Sequence, residues 1–69
     1  MKREWLKDAR KANGYTQAEL AKELKLYPSL YCLIESGERY KKLPLPLAVQ
    51  LAKLLDLTLE EIVMWEGLV

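Results

Sequence analysis

The chain has 69 residues, a formal net charge of +1, no histidine and one cysteine, Cys32. These counts exclude histidine-based acid/base catalysis, an internal disulfide and a plausible zinc site, so we expect no enzyme, metal or cofactor. The length suits one small core, which predicts a single domain over residues 1–69. No apolar run could span a membrane and no secretory signal follows the basic start, so we expect a cytoplasmic location.

The spacing of the apolar residues predicts five short helices and no strand. In the first helix, Trp5, Leu6, Ala9 and Ala12 are predicted to face inward. Proline and glycine mark the ends of several of these elements. The predicted helices run from Arg3 to Asn13, from Gln17 to Leu24, from Pro28 to Ser36, from Pro44–Pro46 to Leu55, and from just after Thr58 to about Trp65.

The second and third helices are predicted to form a helix-turn-helix over residues 16–37. Thr16 and Glu19 have the spacing of a capping box, and Thr58 with Glu61 repeats it before the fifth helix. Pro28 suits the first position of the third helix, where its missing N–H costs nothing. A helix-turn-helix usually places its second helix, here the third helix of the chain, in the major groove of DNA.

Several motifs resemble the lambda-repressor and Cro type of helix-turn-helix protein, the Xre family. They are T-Q-A-E-L-A at residues 16–21 and I-E-S-G at residues 34–37, and the similarity extends over most of the chain, residues 5–63. The resemblance implies an all-α fold of five short helices around one core. It also implies a double-stranded-DNA-binding transcriptional regulator that acts as a homodimer, with the size of a Cro-like repressor.

The resemblance also implies which residues contact the DNA backbone. Gln17 would do so at the start of the second helix, although it could simply be a good helix former there. Arg39, Lys41 and Lys42 would follow the phosphates from the loop after the third helix, unless they form only a solvated face. The charge distribution favours contact, because residues 1–42 carry ten cations and six acids (+4) and residues 43–69 carry one and four (−3). The cations of the first helix, Lys2, Arg3, Lys7 and Lys11, could be phosphate contacts or solubilising charges.

The positions that the resemblance assigns to base reading carry unusual residues. They offer none of the forked donors or amides that read guanine and adenine directly. Leu33 and Cys32 could contact thymine methyl groups, and Ser29 could bond to a base edge or a phosphate. The outward face of Ser29, Leu30, Cys32 and Leu33 could instead be an apolar patch that binds a protein, such as another regulator, and the chain would then be an antirepressor. The predicted base-reading face comprises Tyr27, Pro28, Ser29, Cys32 and Leu33.

Three further expectations concern structure. Arg10 and Glu35 match positions that pair across helices one and three in the family. Lys25 stands where the family usually has glycine in the turn, and a left-handed backbone there, or at Asp56, would cost stability. The apolar end of the chain should complete the core through Ile62 and Trp65 and form a dimer interface through Trp65, Leu68 and Val69.

Overall fold

The computed structural model describes residues 2–67, and over that range the chain forms five α-helices and no strand. The expected all-α fold is confirmed. The third helix has its predicted bounds, and the other ends differ from the predicted ones by about one residue, which is within the usual ambiguity of helix ends. None of the helices in residues 2–67 has the length and apolarity needed to cross a membrane. They are α1 Glu4–Ala12, α2 Gln17–Glu23, α3 Pro28–Ser36, α4 Leu45–Leu54 and α5 Leu59–Glu66.

The ends of the helices that form the helix-turn-helix are fixed by the predicted local signals. Thr16 Oγ1 accepts a hydrogen bond from the Glu19 N–H at 3.1 Å, and the Glu19 carboxylate accepts one from the Thr16 N–H at 2.9 Å. Pro28 is the first residue of α3. Gly37 ends α3 with φ +83°, and this left-handed turn lets the N–H groups of Glu38 and Arg39 bond to the carbonyl of Leu33.

Within residues 2–67, the core contains eleven buried apolar residues, which come from all five helices and from the loop before α4. The predicted inward position of Ala12 is wrong, because Ala12 is exposed. The buried side of α1 is centred on Leu6 and Arg10, and Ala12 lies on the opposite side of the helix from Arg10. The buried apolar residues are Leu6, Leu20, Ala21, Leu24, Tyr31, Ile34, Leu43, Ala48, Leu51, Leu55 and Ile62.

The turn between α2 and α3 contains a non-glycine residue with a left-handed backbone. Lys25 has φ +59°, and Asp56 has φ +55° in the turn between α4 and α5. The Leu26 N–H bonds to the carbonyl of Ala21 at 2.8 Å, which closes the turn and directs the chain into α3. The conformation at Lys25 therefore helps to set the angle at which α3 leaves α2.

Replacing Lys25 by glycine should stabilise the protein. Glycine adopts positive φ without the Cβ clash, and after its greater entropic cost we expect a net gain of about 0.5–1 kcal/mol in the free energy of unfolding. Urea denaturation would measure this change. The control is Lys22→Gly inside α2, which should instead lose about 1 kcal/mol. A loss at both positions would contradict the prediction.

Candidate nucleic-acid interface

Helix α3 has a buried side that joins the core and an outer side that faces solvent. Tyr31, Ile34 and Glu35 are buried. Tyr27, which precedes the helix, is 80% exposed and Leu33 is 39% exposed. The outer side thus contains every residue of the predicted base-reading face, namely Tyr27, Pro28, Ser29, Cys32 and Leu33, all exposed.

A buried network of hydrogen bonds joins α1, α2 and α3 behind this outer face. Arg10 Nε lies 2.9 Å from one carboxylate oxygen of Glu35, and Arg10 Nη2 lies 3.2 Å from the other. The Tyr31 hydroxyl donates to Glu35 at 2.7 Å, and Gln17 Nε2 donates to it at 3.1 Å. Arg10 also donates to the carbonyl of Tyr15 at 2.9 Å. The network fixes α3 relative to the other two helices of the interface.

The protonation states of this network suit its bonding pattern. Burial alone would raise the pKa of Glu35, but the hydrogen bonds from Arg10, Tyr31 and Gln17 outweigh it and lower that pKa. The bond to Glu35 raises the pKa of Arg10. Burial, and then the bond to Glu35, raises the pKa of Tyr31. At neutral pH a carboxylate therefore accepts from a guanidinium and from a protonated phenol.

Gln17 lies at the start of α2, as the resemblance requires, but its side-chain amide is turned toward Glu35 and is half-buried. The backbone N–H groups of Gln17 and Ala18 have no intrahelical carbonyl available, because they begin the helix. These groups can donate to a phosphate oxygen without breaking the buried network. The contact between Gln17 and DNA stays a prediction.

The segment that joins α3 to α4, residues 38–43, is here called the basic loop. Its Arg39, Lys41 and Lys42 are exposed, whereas Leu43 is buried and anchors the end of the loop in the core. The Arg39 guanidinium carbon lies 5.3 Å from the centre of the Tyr40 ring, within the range of a cation–π contact. The loop thus presents cations next to the C-terminal end of α3.

Arg3 has a role that the sequence did not indicate. Arg3 is neither a phosphate contact nor a solubilising surface charge, so both predictions for it are wrong, because it is only 5% exposed. Its guanidinium is paired with Glu66 and donates to carbonyls of α3 and the basic loop. Its partners are 31 to 63 residues away along the chain, so no local sequence pattern could reveal them.

The other cations near α1 line the side of α3. Lys2, Lys7 and Lys11 border an open groove of about 280 Å³. The groove is also lined by Gln17, Cys32 and Ser36, which places the three lysines beside the predicted interface. A phosphate contact by these lysines stays a prediction.

The C-terminal residues divide between the core and the surface. Ile62 is 1% exposed and belongs to the core, as expected. Trp65 does not complete the core, because it is 39% exposed and only stacks on Trp5, with ring centres 5.7 Å apart. Trp5 is itself half-buried and covers only part of that indole ring. Leu68 and Val69, the rest of the predicted dimer interface, lie outside the described residues.

The chain forms five helices, and α2 and α3 make a helix-turn-helix. The exposed outer side of α3 lies next to the basic loop. This arrangement defines a helix-turn-helix DNA-binding domain. The family model described as Helix-turn-helix matches residues 6–62 of the chain. The protein therefore belongs to the Xre or lambda-repressor type of helix-turn-helix family, whose members are DNA-binding regulators and typically not enzymes. No curated protein and no solved structure shows a significant match to the chain.

Proposed function

We propose that this protein is a Cro-like transcriptional repressor that binds double-stranded DNA as a homodimer in the cytoplasm. The observation that carries the proposal is the arrangement of α3. Its outer side is exposed, and the cations Arg39, Lys41 and Lys42 follow directly after it on an exposed loop. A helix in the major groove with a flanking basic loop on the phosphates is the docking geometry of such regulators.

The chemistry of the outer side supports binding that depends mostly on phosphates. Ser29 can bond to a base edge, while Cys32 and Leu33 offer apolar contact to thymine methyl groups. A bidentate pair between an arginine and guanine, or an amide and adenine, is worth about 1–3 kcal/mol of discrimination, and this side provides neither. Phosphate contacts therefore account for most of the proposed affinity, and the sequence preference is modest.

The proposed dimer uses the exposed end of α5. Met64 is 62% exposed and Trp65 is 39% exposed, so both present apolar area next to Leu68 and Val69 in the sequence. A two-fold dimer would bind two half-sites about one turn of DNA apart. Sedimentation equilibrium of the wild type and of Trp65→Ser tests it, and a wild type that stays monomeric at the concentration of half-maximal DNA binding excludes the dimer.

The test of DNA binding is the double variant Lys41→Ala/Lys42→Ala. Each lost phosphate contact should reduce the slope of log affinity against log salt by about 0.9, and binding to all DNA sequences should weaken alike. Gel shifts on random duplex DNA at several salt concentrations measure the slope. Lys53→Ala, an exposed lysine of α4, is the matched control and should leave it unchanged. A slope equal to that of the wild type would contradict the proposed role of the basic loop.

One observation favours a second candidate, a helix-turn-helix that binds another regulator protein as an antirepressor. The outer side of α3 exposes Tyr27 and Leu33, and large apolar groups of this kind are common at protein interfaces. This candidate predicts no salt-dependent shift of random DNA by the wild-type protein. The gel-shift series therefore separates the two functions before any variant is made.

A further inference from the structure

We propose that Arg3 is the positioning residue of the basic loop, and that Glu66 orients it. Arg3 precedes α1, Glu66 ends α5, and the loop lies between α3 and α4, so three distant parts of the chain meet at one guanidinium. The proposal rests on the proposed function, because the loop that Arg3 holds is the one assigned to DNA phosphates.

The guanidinium of Arg3 uses both of its sides. On one side, Nε lies 3.0 Å from each carboxylate oxygen of Glu66. On the other, Nη1 donates to the carbonyls of Ile34 at 2.7 Å and Arg39 at 3.1 Å, and Nη2 donates to the carbonyl of Tyr40. Both partners of the ion pair are nearly buried, with 5% and 6% of their side chains exposed. The rigid fork of arginine can hold two adjacent carbonyls in this way, and the point charge of lysine cannot.

Glu66 is held in turn by a second donor. Trp5 Nε1 donates to the same carboxylate at 2.8 Å. Trp5 also stacks on Trp65, the residue before Glu66. The carboxylate is therefore fixed by α1 and by its own helix, which makes it a rigid support for the guanidinium.

The middle of the loop needs such a support. The N–H groups of Glu38 and Arg39 bond to the Leu33 carbonyl and Leu43 is buried, but Tyr40 between them has the unfavourable left-handed backbone, with φ +59°. A non-glycine residue in this conformation persists only where its surroundings hold it. The Arg3 bonds hold the carbonyls of Arg39 and Tyr40 inward, while the loop's cationic side chains remain exposed.

A loop fixed before binding pays less ordering entropy when it meets DNA. The charge of Arg3 is itself unavailable to a phosphate, because it is buried and paired with Glu66. Arg3 therefore acts through the loop and not through direct contact.

Trypsin provides a test that is independent of DNA, because it cleaves after Arg39, Lys41 and Lys42 within the loop. In Arg3→Met the native-state cleavage rate at these three sites should rise about tenfold, with little change after Lys53 in α4. Glu66→Ala should also raise cleavage in the loop with little change after Lys53. If Arg3→Met does not fold, the cleavage pattern of Glu66→Ala tests the proposal in its place. The control is Ile62→Val, a mild core change on α5, which should affect all sites in proportion to the loss of global stability. Unchanged loop cleavage, or an equal rise at every site, would overturn the proposal.

DNA binding gives the second readout, and Glu66→Ala is the variant to use once sedimentation equilibrium shows that its oligomeric state equals that of the wild type, because Glu66 follows Trp65 of the proposed dimer surface. The change raises the net charge from +1 to +2, so electrostatics alone would strengthen binding. Loss of positioning should instead weaken binding to random duplex DNA about tenfold and lower the salt slope. Adding Lys41→Ala/Lys42→Ala to Arg3→Met or to Glu66→Ala should then reduce the DNA affinity little further. Tighter DNA binding by Glu66→Ala, or losses of affinity that add fully in the combined variants, would overturn the positioning role. A wild type that binds no DNA would contradict the proposed function. A selective rise in trypsin cleavage of the basic loop would still show that Arg3 positions the loop.

Discussion

Replacing Arg10 by methionine is expected to lower the free energy of unfolding by about 3–5 kcal/mol. Arg10 is 8% exposed and Glu35 is 7% exposed, so the change leaves a carboxylate in the interior without its counter-charge. Tyr31 and Gln17 would still donate to Glu35, but neither supplies a positive charge. Urea denaturation followed by circular dichroism measures the loss.

A double-mutant cycle assigns that loss to the pair. In a Glu35→Leu background, Arg10→Met should cost much less, because no carboxylate remains to be left unpaired. Lys11→Met is the control, since Lys11 is the exposed neighbour of Arg10 and should change stability by no more than about 0.5 kcal/mol. If the loss in the free energy of unfolding of the double variant equals the sum of the losses of the two single variants, the two side chains do not act as a pair.

The helix-turn-helix was predictable because its signals are local. Thr16 and Glu19 are three residues apart, and the side chain of each accepts a hydrogen bond from the backbone N–H of the other. Pro28 and Gly37 fix the two ends of α3 through their own backbone preferences. Such signals act over a few residues and do not depend on how the rest of the chain folds.

The Arg10–Glu35 pair was predictable from the family motifs and is present, but the support that Arg3 gives to the basic loop was not, because it depends on contacts between distant parts of the chain. A cationic residue near the start of a chain is usually on the surface, and nothing near Arg3 in the sequence distinguishes it from Lys2. In α1 the buried side contains Arg10, a charged residue, whereas the apolar Ala12 is exposed, so apolar spacing alone does not define the inner side of this helix.

The apolar residues Tyr27 and Leu33 on the outer side of α3 are exposed and lie outside the core. The buried side of the helix already contains Tyr31 and Ile34, together with a carboxylate that accepts three side-chain donors. Leu33 faces away from these residues and is 39% exposed, which excludes a purely core role. Its surface position makes Leu33 the residue whose substitution best separates the candidate functions.

Leu33→Glu is expected to reduce DNA binding sharply while the fold is retained. A carboxylate at this position of α3 would lie close to the groove and its phosphates, and like charges repel. An exposed position usually costs within about 0.5 kcal/mol, so the helicity and the melting temperature should barely change. Leu59→Glu is the matched control, because Leu59 is 37% exposed at the start of α5 and receives the same charge.

The same variant gives a different result if α3 docks a protein. Association with that partner should then be lost, because the new charge would be buried without a counter-charge, while any residual DNA binding would be spared. Leu33→Ala refines the comparison, since it removes the apolar contact without adding charge. A loss with glutamate far greater than with alanine, and strongest at low salt, would identify phosphate repulsion. A variant that melts early would contradict both functions for this face and return Leu33 to a structural role.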